Sequence, residues 1–218
     1  MSRKLVIFDL DGTILDTIGD LAAAVNFALK KNLFPARSVE EVTRFVGNGM
    51  RNLILRALPE KVSEEVFAAV FADFKDYYRD HCADSTRPYP GIADLLSRLR
   101  KEGFLLAVLS NKSDGSVKVL CEKFYPNAFD AVAGEKEGIA RKPSPEGIEA
   151  ILSSLSVEKT DTVYVGDSEV DVETAKNASL DALLVSWGFR SKAALRAAGA
   201  ERIADTPEDL FKELLKNR

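Results

Sequence analysis

The chain has 218 residues, 46% of them hydrophobic, and a formal net charge of −4. That is enough apolar material for one large domain or for a core with a smaller domain attached. The acidic balance, with no local Lys/Arg cluster, argues against any function that rests on neutralising a nucleic-acid backbone.

Met1-Ser2-Arg3-Lys4 leads into the apolar run Leu5–Phe8, which acidic residues end at once, a pattern of neither a signal peptide nor a membrane span. A cytoplasmic protein is therefore expected. Similar runs recur at Phe104–Leu109, Thr162–Val165 and Ala182–Val185, and their Val, Ile and Leu content predicts buried strands of a parallel sheet. Helical spacing of apolar residues separates them at 92–100, 116–124, 146–155, 170–178 and 193–198. The alternation predicts a doubly wound, Rossmann-like α/β core formed by residues 1–15 and 88–218.

From Asp16 to Arg87 no strand-like run occurs, and the amphipathic stretches 21–29, 39–46, 53–58 and 66–78 predict an inserted helical domain. Its return linker, Asp84 to Gly91, is punctuated by Pro88, Pro90 and Gly91. Cys82 and Cys121 lie too far apart for a metal pair, and reduced structural thiols are expected. The stretch Cys82 to Arg87 has four residues between cysteine and arginine where the phosphate loop of cysteine phosphatases needs five. His81, the only histidine, leaves no second imidazole for phosphotransfer between histidines.

Three predicted strands run into polar residues: Phe8 into Asp9-Leu10-Asp11-Gly12-Thr13, Leu109 into Ser110-Asn111-Lys112, and Val165 into Gly166-Asp167-Ser168. Ligands of open α/β sheets bind beyond the carboxyl ends of the strands, so these residues are expected to converge. Taken singly, each motif has a plainer reading: Asp9 to Gly12 as a turn, Lys142 as a surface lysine, and Asp171 as a helix cap in competition with metal binding.

In this order, Asp9/Asp11, Ser110, Lys142 and Asp167/Asp171 resemble the four motifs of the haloacid dehalogenase-like superfamily, and the insert at 16–87 resembles that family's helical cap. The resemblance implies Mg²⁺ bound by Asp9, the backbone carbonyl of Asp11 and Asp167, with Asp171 ordering that shell. It implies Asp9 as nucleophile, Asp11 as acid and then base, and Ser110 and Lys142 as holders of the phosphoryl oxygens. Asp11 argues against the dehalogenase branch, which lacks that aspartate, and Thr13 resembles the phosphatase form of the motif more than the mutase form.

Val46 to Gly49, Leu109 to Lys112, Arg141 to Pro145 and Trp187-Gly188 look like the phosphoglycolate phosphatase branch, with Ser179 standing where relatives commonly have glycine. The implied substrate is a small phosphorylated metabolite, 2-phosphoglycolate first and pyrophosphate or a sugar or nucleotide monophosphate as alternatives. Thr13, Asn111, Gly47, Asn48, Gly49 and Arg51 are expected to contact it. A non-catalytic phosphate-binding relative and an aspartate-phosphorylated receiver domain are the rival classes, and either a monomer or a homodimer is compatible with the sequence.

Overall fold

The computed structural model describes residues 5–216. The stretch Met1-Ser2-Arg3-Lys4, whose charges bear on the question of a leader, lies outside them. The strands are β1 (Leu5–Phe8), β2 (Leu15–Asp16), β3 (Arg87–Pro88), β4 (Leu105–Ser113), β5 (Ala131–Glu135), β6 (Thr162–Gly166), β7 (Asp181–Val185) and β8 (Ile203–Ala204). The α-helices are α1 (Ile18–Lys31), α2 (Val39–Phe45), α3 (Gly49–Ala57), α4 (Glu64–His81), α5 (Ile92–Lys101), α6 (Asp114–Phe124), α7 (Glu146–Leu155), α8 (Glu169–Ala178), α9 (Lys192–Ala197) and α10 (Pro207–Lys216).

Six strands form one parallel sheet in the order β5-β4-β1-β6-β7-β8, making an α/β core of the Rossmann-like kind. The chain builds outward from β1 through β4 to β5, then crosses to β6 and builds the other way. The switch in direction leaves a crevice at the carboxyl ends of β4, β1 and β6. Phe8 aligns with Val108 on one side and with Val165 on the other, so Asp9 leaves the sheet beside Leu109 and Gly166. Leu5, Ile7, Ala107, Leu109 and Tyr164 pack with Ile148, Ile151 and Leu152 of α7 and with Ala175 and Ala178 of α8. This dry layer fixes the strand ends from below, each fully buried aliphatic side chain contributing about 1.5–3 kcal/mol.

The chain divides into two compact units, Met1–Leu15 with Pro88–Arg218, and Asp16–Arg87. The smaller unit is helical. Phe67, Val70, Phe74 and Tyr78 form the buried stripe of α4, and Leu21, Ala24, Val25, Ala28 and Leu29 that of α1. Asp20, buried at the start of α1, accepts hydrogen bonds from Ser85 N (2.7 Å), Thr86 N (2.8 Å) and Thr86 Oγ1 (2.7 Å), tying the returning chain to the helix.

Some elements differ from the expectations above. β4 continues to Ser113 instead of ending at Leu109, so Ser110 and Asn111 lie in the strand, where its pairing with β5 shifts register. β5, β8 and α10 fall outside the apolar runs and helical stripes identified from sequence. The third helix of the insert spans Gly49–Ala57, starting four residues before the stretch 53–58. Cys82 and Cys121 are both buried and unbridged. Among the described residues no helix is long and apolar enough to cross a membrane.

Candidate active site

Asp9 follows directly on β1, and its N–H donates to Val165 O at 2.8 Å, extending the sheet by one residue. Its Oδ1 accepts from Leu10 N at 2.7 Å and contacts Lys142 Nζ at 2.9 Å. Burial pushes its carboxyl up to about 7, Asp171 and Asp11 push the same way, and Lys142 offsets part of the rise.

Lys142 comes from the loop before α7, where the Lys142–Pro143 peptide is cis. Asn111 determines its position through both amide atoms: Lys142 N donates to Asn111 Oδ1 at 2.8 Å, and Asn111 Nδ2 donates to Lys142 O at 2.9 Å. Asn111, expected to contact substrate, therefore commits its side chain to the Lys142 backbone. The Lys142 ammonium is buried and touches Asp9, Asp171 Oδ1 (2.8 Å) and Tyr164 Oη (3.0 Å). Burial opposes its charge, but Asp171 and Asp9 outweigh that and hold it well above the usual lysine range.

Asp167 follows β6. Its Oδ2 accepts from Phe189 N at 2.7 Å and its Oδ1 from Thr13 Oγ1 at 3.2 Å. Thr13 is buried, so its hydroxyl serves Asp167, and its carbonyl accepts from Trp187 Nε1 at 3.0 Å. Burial first, then Asp171 and Asp9, hold the Asp167 carboxyl well above the usual range. The backbone crowds this carboxylate: a Cβ on Gly12 would stand 2.3 Å, and one on Gly188 2.4 Å, from Asp167 Oδ2. Only glycine fits at either place.

Asp171, in the first turn of α8, is saturated by donors. Its Oδ1 takes Lys142 Nζ and Tyr164 Oη (3.0 Å), and its Oδ2 takes Asp167 N (3.2 Å), Ser168 N (3.1 Å) and Ser168 Oγ (2.6 Å). Burial alone would raise it, but Lys142 and the hydrogen bonds from Lys142, Ser168 and Tyr164 hold it below the usual range.

Ligand oxygens of Asp9, Asp167 and Asp171 lie within 4.8 Å of one another, all buried. Three carboxylates against the one Lys142 ammonium leave two negative charges uncompensated if all are ionised. A divalent cation that prefers oxygen ligands fits that donor set and that charge. The side chain of Asp11 is outside this cluster: its carboxylate pairs with Lys112, at 2.8 Å and 3.0 Å from the two oxygens. Ser110 is buried on β4, and its Oγ accepts from Lys112 N at 3.3 Å.

Tyr164 escaped sequence reasoning, and Lys112 was placed at its strand end without a role. Tyr164 sits in an apolar strand and reads as core; a tyrosine flanked by valines immediately before Gly-Asp-Ser was the available signal. Of the cap residues, Arg51 pairs with Glu64 at 3.2 Å and lies 4.3 Å over the Phe67 ring, both in the same unit. Gly47 and Gly49 have φ of 123° and 81° on either side of Asn48, whose carbonyl accepts from Asn52. His81 contacts Asp84 at 2.8 Å and stacks on Tyr77, inside the cap.

Residues 6–185 match the family model of haloacid dehalogenase-like hydrolases. The chain belongs to that family. A phosphoglycolate phosphatase of Mesorhizobium japonicum is 33% identical over 196 residues, 88% of this chain and 86% of the relative. One from Aquifex aeolicus is 33% identical over 187 residues, covering 85% and 86%. A crystal structure of a proposed phosphoglycolate phosphatase from Lactobacillus delbrueckii subsp. bulgaricus superposes with a TM-score of 0.94 at 40% identity, covering 98% of this chain and 99% of that one. This haloacid dehalogenase-like hydrolase falls in the phosphoglycolate phosphatase-like branch and is a phosphoric monoester hydrolase.

Proposed function

We propose that this hydrolase is a magnesium-dependent phosphatase of the cytoplasm that cleaves 2-phosphoglycolate through a phosphorylated Asp9. The observation that carries the reading is the placement of Asp9: one buried carboxylate, at the end of a central strand, touches the fixed Lys142 ammonium and belongs to the metal-capable cluster. The names of the relatives support the substrate.

Asp9, Asp167 and the backbone carbonyl of Asp11 would hold the ion, and Asp171 orders that shell through Lys142, Ser168 and the Asp167 backbone. When bound, Mg²⁺ supplies the positive charge that offsets repulsion between a carboxylate and a phosphate, on the order of 4 kcal/mol for unit charges 4 Å apart. Asp9 attacks phosphorus, and the bond to the ester oxygen breaks as Asp11 gives that oxygen a proton. Water then attacks phosphorus while Asp11 takes its proton, the bond to Asp9 breaks, and inorganic phosphate leaves. Lys142 and Ser110 hold the phosphoryl oxygens throughout. Gly47, Asn48, Gly49 and Arg51 are the cap's contribution to recognising the leaving group.

Phosphate release with and without Mg²⁺, from 2-phosphoglycolate, pyrophosphate, hexose phosphates and nucleoside monophosphates, tests this directly. Selective, magnesium-dependent turnover of 2-phosphoglycolate is expected, and Asp9→Asn should lower it at least a thousandfold, about 4 kcal/mol of barrier. Near-normal turnover in that variant would sink the mechanism, and preference for another substrate would replace only the substrate.

A further inference from the structure

Lys112 stands on β4 two residues beyond Ser110 and is almost wholly enclosed, its side chain 2% exposed. An ammonium is buried at great cost unless it is paired, and the Lys112 charge meets the carboxylate of Asp11 at both oxygens, at 2.8 Å and 3.0 Å. A carboxylate gripped at both oxygens loses the rotation that one hydrogen bond would leave it. Two consecutive residues of β4 thus hold two parts of the site: Asn111 the Lys142 backbone, and Lys112 the Asp11 carboxylate.

We propose that Lys112 is a positioning residue, holding the Asp11 carboxyl where one of its oxygens meets the leaving oxygen. The proposal rests on the reading of Asp11 as acid and base. With its proton on, Asp11 presents one oxygen to Lys112 and directs its O–H at the ester oxygen. As the bond between phosphorus and the ester oxygen breaks, its electron pair stays with that oxygen and takes the Asp11 proton, so the alcohol departs neutral. Asp11 is left an anion that Lys112 engages at both oxygens, the arrangement seen in the structure. The second step returns the proton from water to Asp11.

The test compares 2-phosphoglycolate, or the best alkyl phosphate of the panel, with p-nitrophenyl phosphate, whose leaving group departs without a proton donor. Asp11→Asn should lower kcat/KM, which reports the steps up to departure of the leaving group, far more with the alkyl ester. Lys112→Met should repeat that bias, with a loss roughly tenfold or more larger for the alkyl than for the aryl ester. Lys112→Arg should restore most of the ratio, and Lys112→Met added to Asp11→Asn should change the alkyl rate less than about threefold, because it acts through Asp11. If Lys112→Met does not fold, Lys112→Gln gives the same comparison. A selective Asp11→Asn beside an unselective Lys112 variant overturns the proposal alone; equal losses of kcat/KM for the two esters in Asp11→Asn overturn the assignment of Asp11 as acid and the proposal with it.

Discussion

Asp9 and Asp167 are held in the folded protein under conditions that oppose their ionisation, with burial the largest cause for both. For Asp9 the consequence for stability has a definite sign. Its carboxyl titrates near 3.8 when unfolded and near 7 when folded, so across that window the native state holds a proton that the unfolded chain has released. The group's contribution to stability is complete below the lower value and is lost as pH rises through the upper one. Metal-free protein should therefore lose stability between pH 5 and pH 8 through this group, and Asp9→Asn should flatten that loss. Urea unfolding of both proteins in chelator at the two pH values measures the difference, and equal losses in the two would contradict a raised Asp9 carboxyl. A cation among these oxygens would reverse the situation, since it favours the ionised carboxylate.

Residue-scale legibility was uneven. Asp9, Asp11, Ser110 and Asp167 stood out because each follows a run of apolar residues, and a polar group at that point faces the crevice of a parallel sheet. Lys112 was placed at the same strand end but given no role, because its partner Asp11 is 101 positions away. Asn111 looked like a substrate contact for the same reason, since nothing local reveals that its amide meets the backbone of Lys142, 31 residues on.

Among the elements, the helices were easier to find than the edge strands. β5 lies at the sheet edge, is only half-buried along its length and contains Gly134, all of which dilute a strand signal. The glycine is required there, since a Cβ would stand 2.5 Å from the Asp114 Cα at the start of α6. Ser179 is the converse case. It ends α8 with φ 57° and ψ 44°, the left-handed region that glycine enters without strain, so the departure from glycine noted in the sequence falls on a position that needs one. Ser179→Gly should stabilise the protein by about 0.5–1 kcal/mol, read as a higher urea midpoint with unchanged activity. No gain would mean the serine side chain compensates locally.

Asp20 does for the cap what Asn111 does for the core, joining segments remote in sequence. Asp20→Ala would leave the N–H groups of Ser85 and Thr86 without an acceptor, while Thr86 Oγ1 keeps Cys82 O at 3.0 Å. That substitution should destabilise by about 3 kcal/mol, detectable as a lower midpoint of denaturant unfolding. A change under about 0.5 kcal/mol would show that water replaces the carboxylate.

At the scale of the whole molecule, the proposed function gives the reaction to the core and the choice of substrate to the helical unit. Arg51 is half-exposed, its ion pair with Glu64 is a surface one, and such pairs contribute about 0–1 kcal/mol, so its guanidinium can exchange Glu64 for a substrate carboxylate. Arg51→Ala should raise KM for 2-phosphoglycolate roughly tenfold while changing KM for ethyl phosphate little, because only the former has a carboxylate to lose. Equal shifts for the two esters would remove Arg51 from recognition. The alternation of strand and helix made the core's class readable in the sequence, because burial on both faces of a parallel sheet leaves a mark in composition. Its order of assembly left no such mark.

That order bears on how the protein is made. β1 lies at the centre of the sheet, yet its neighbours begin at Leu105 and Thr162. β1 is synthesised before either of its partners, whereas residues 16–87 form a compact helical unit whose contacts are made within it. The strand that bears Asp9 must then wait, an apolar segment without a sheet, until β4 arrives and again until β6 encloses its other edge. Asp9 reaches its place only once segments made much later have joined the sheet on both sides of β1.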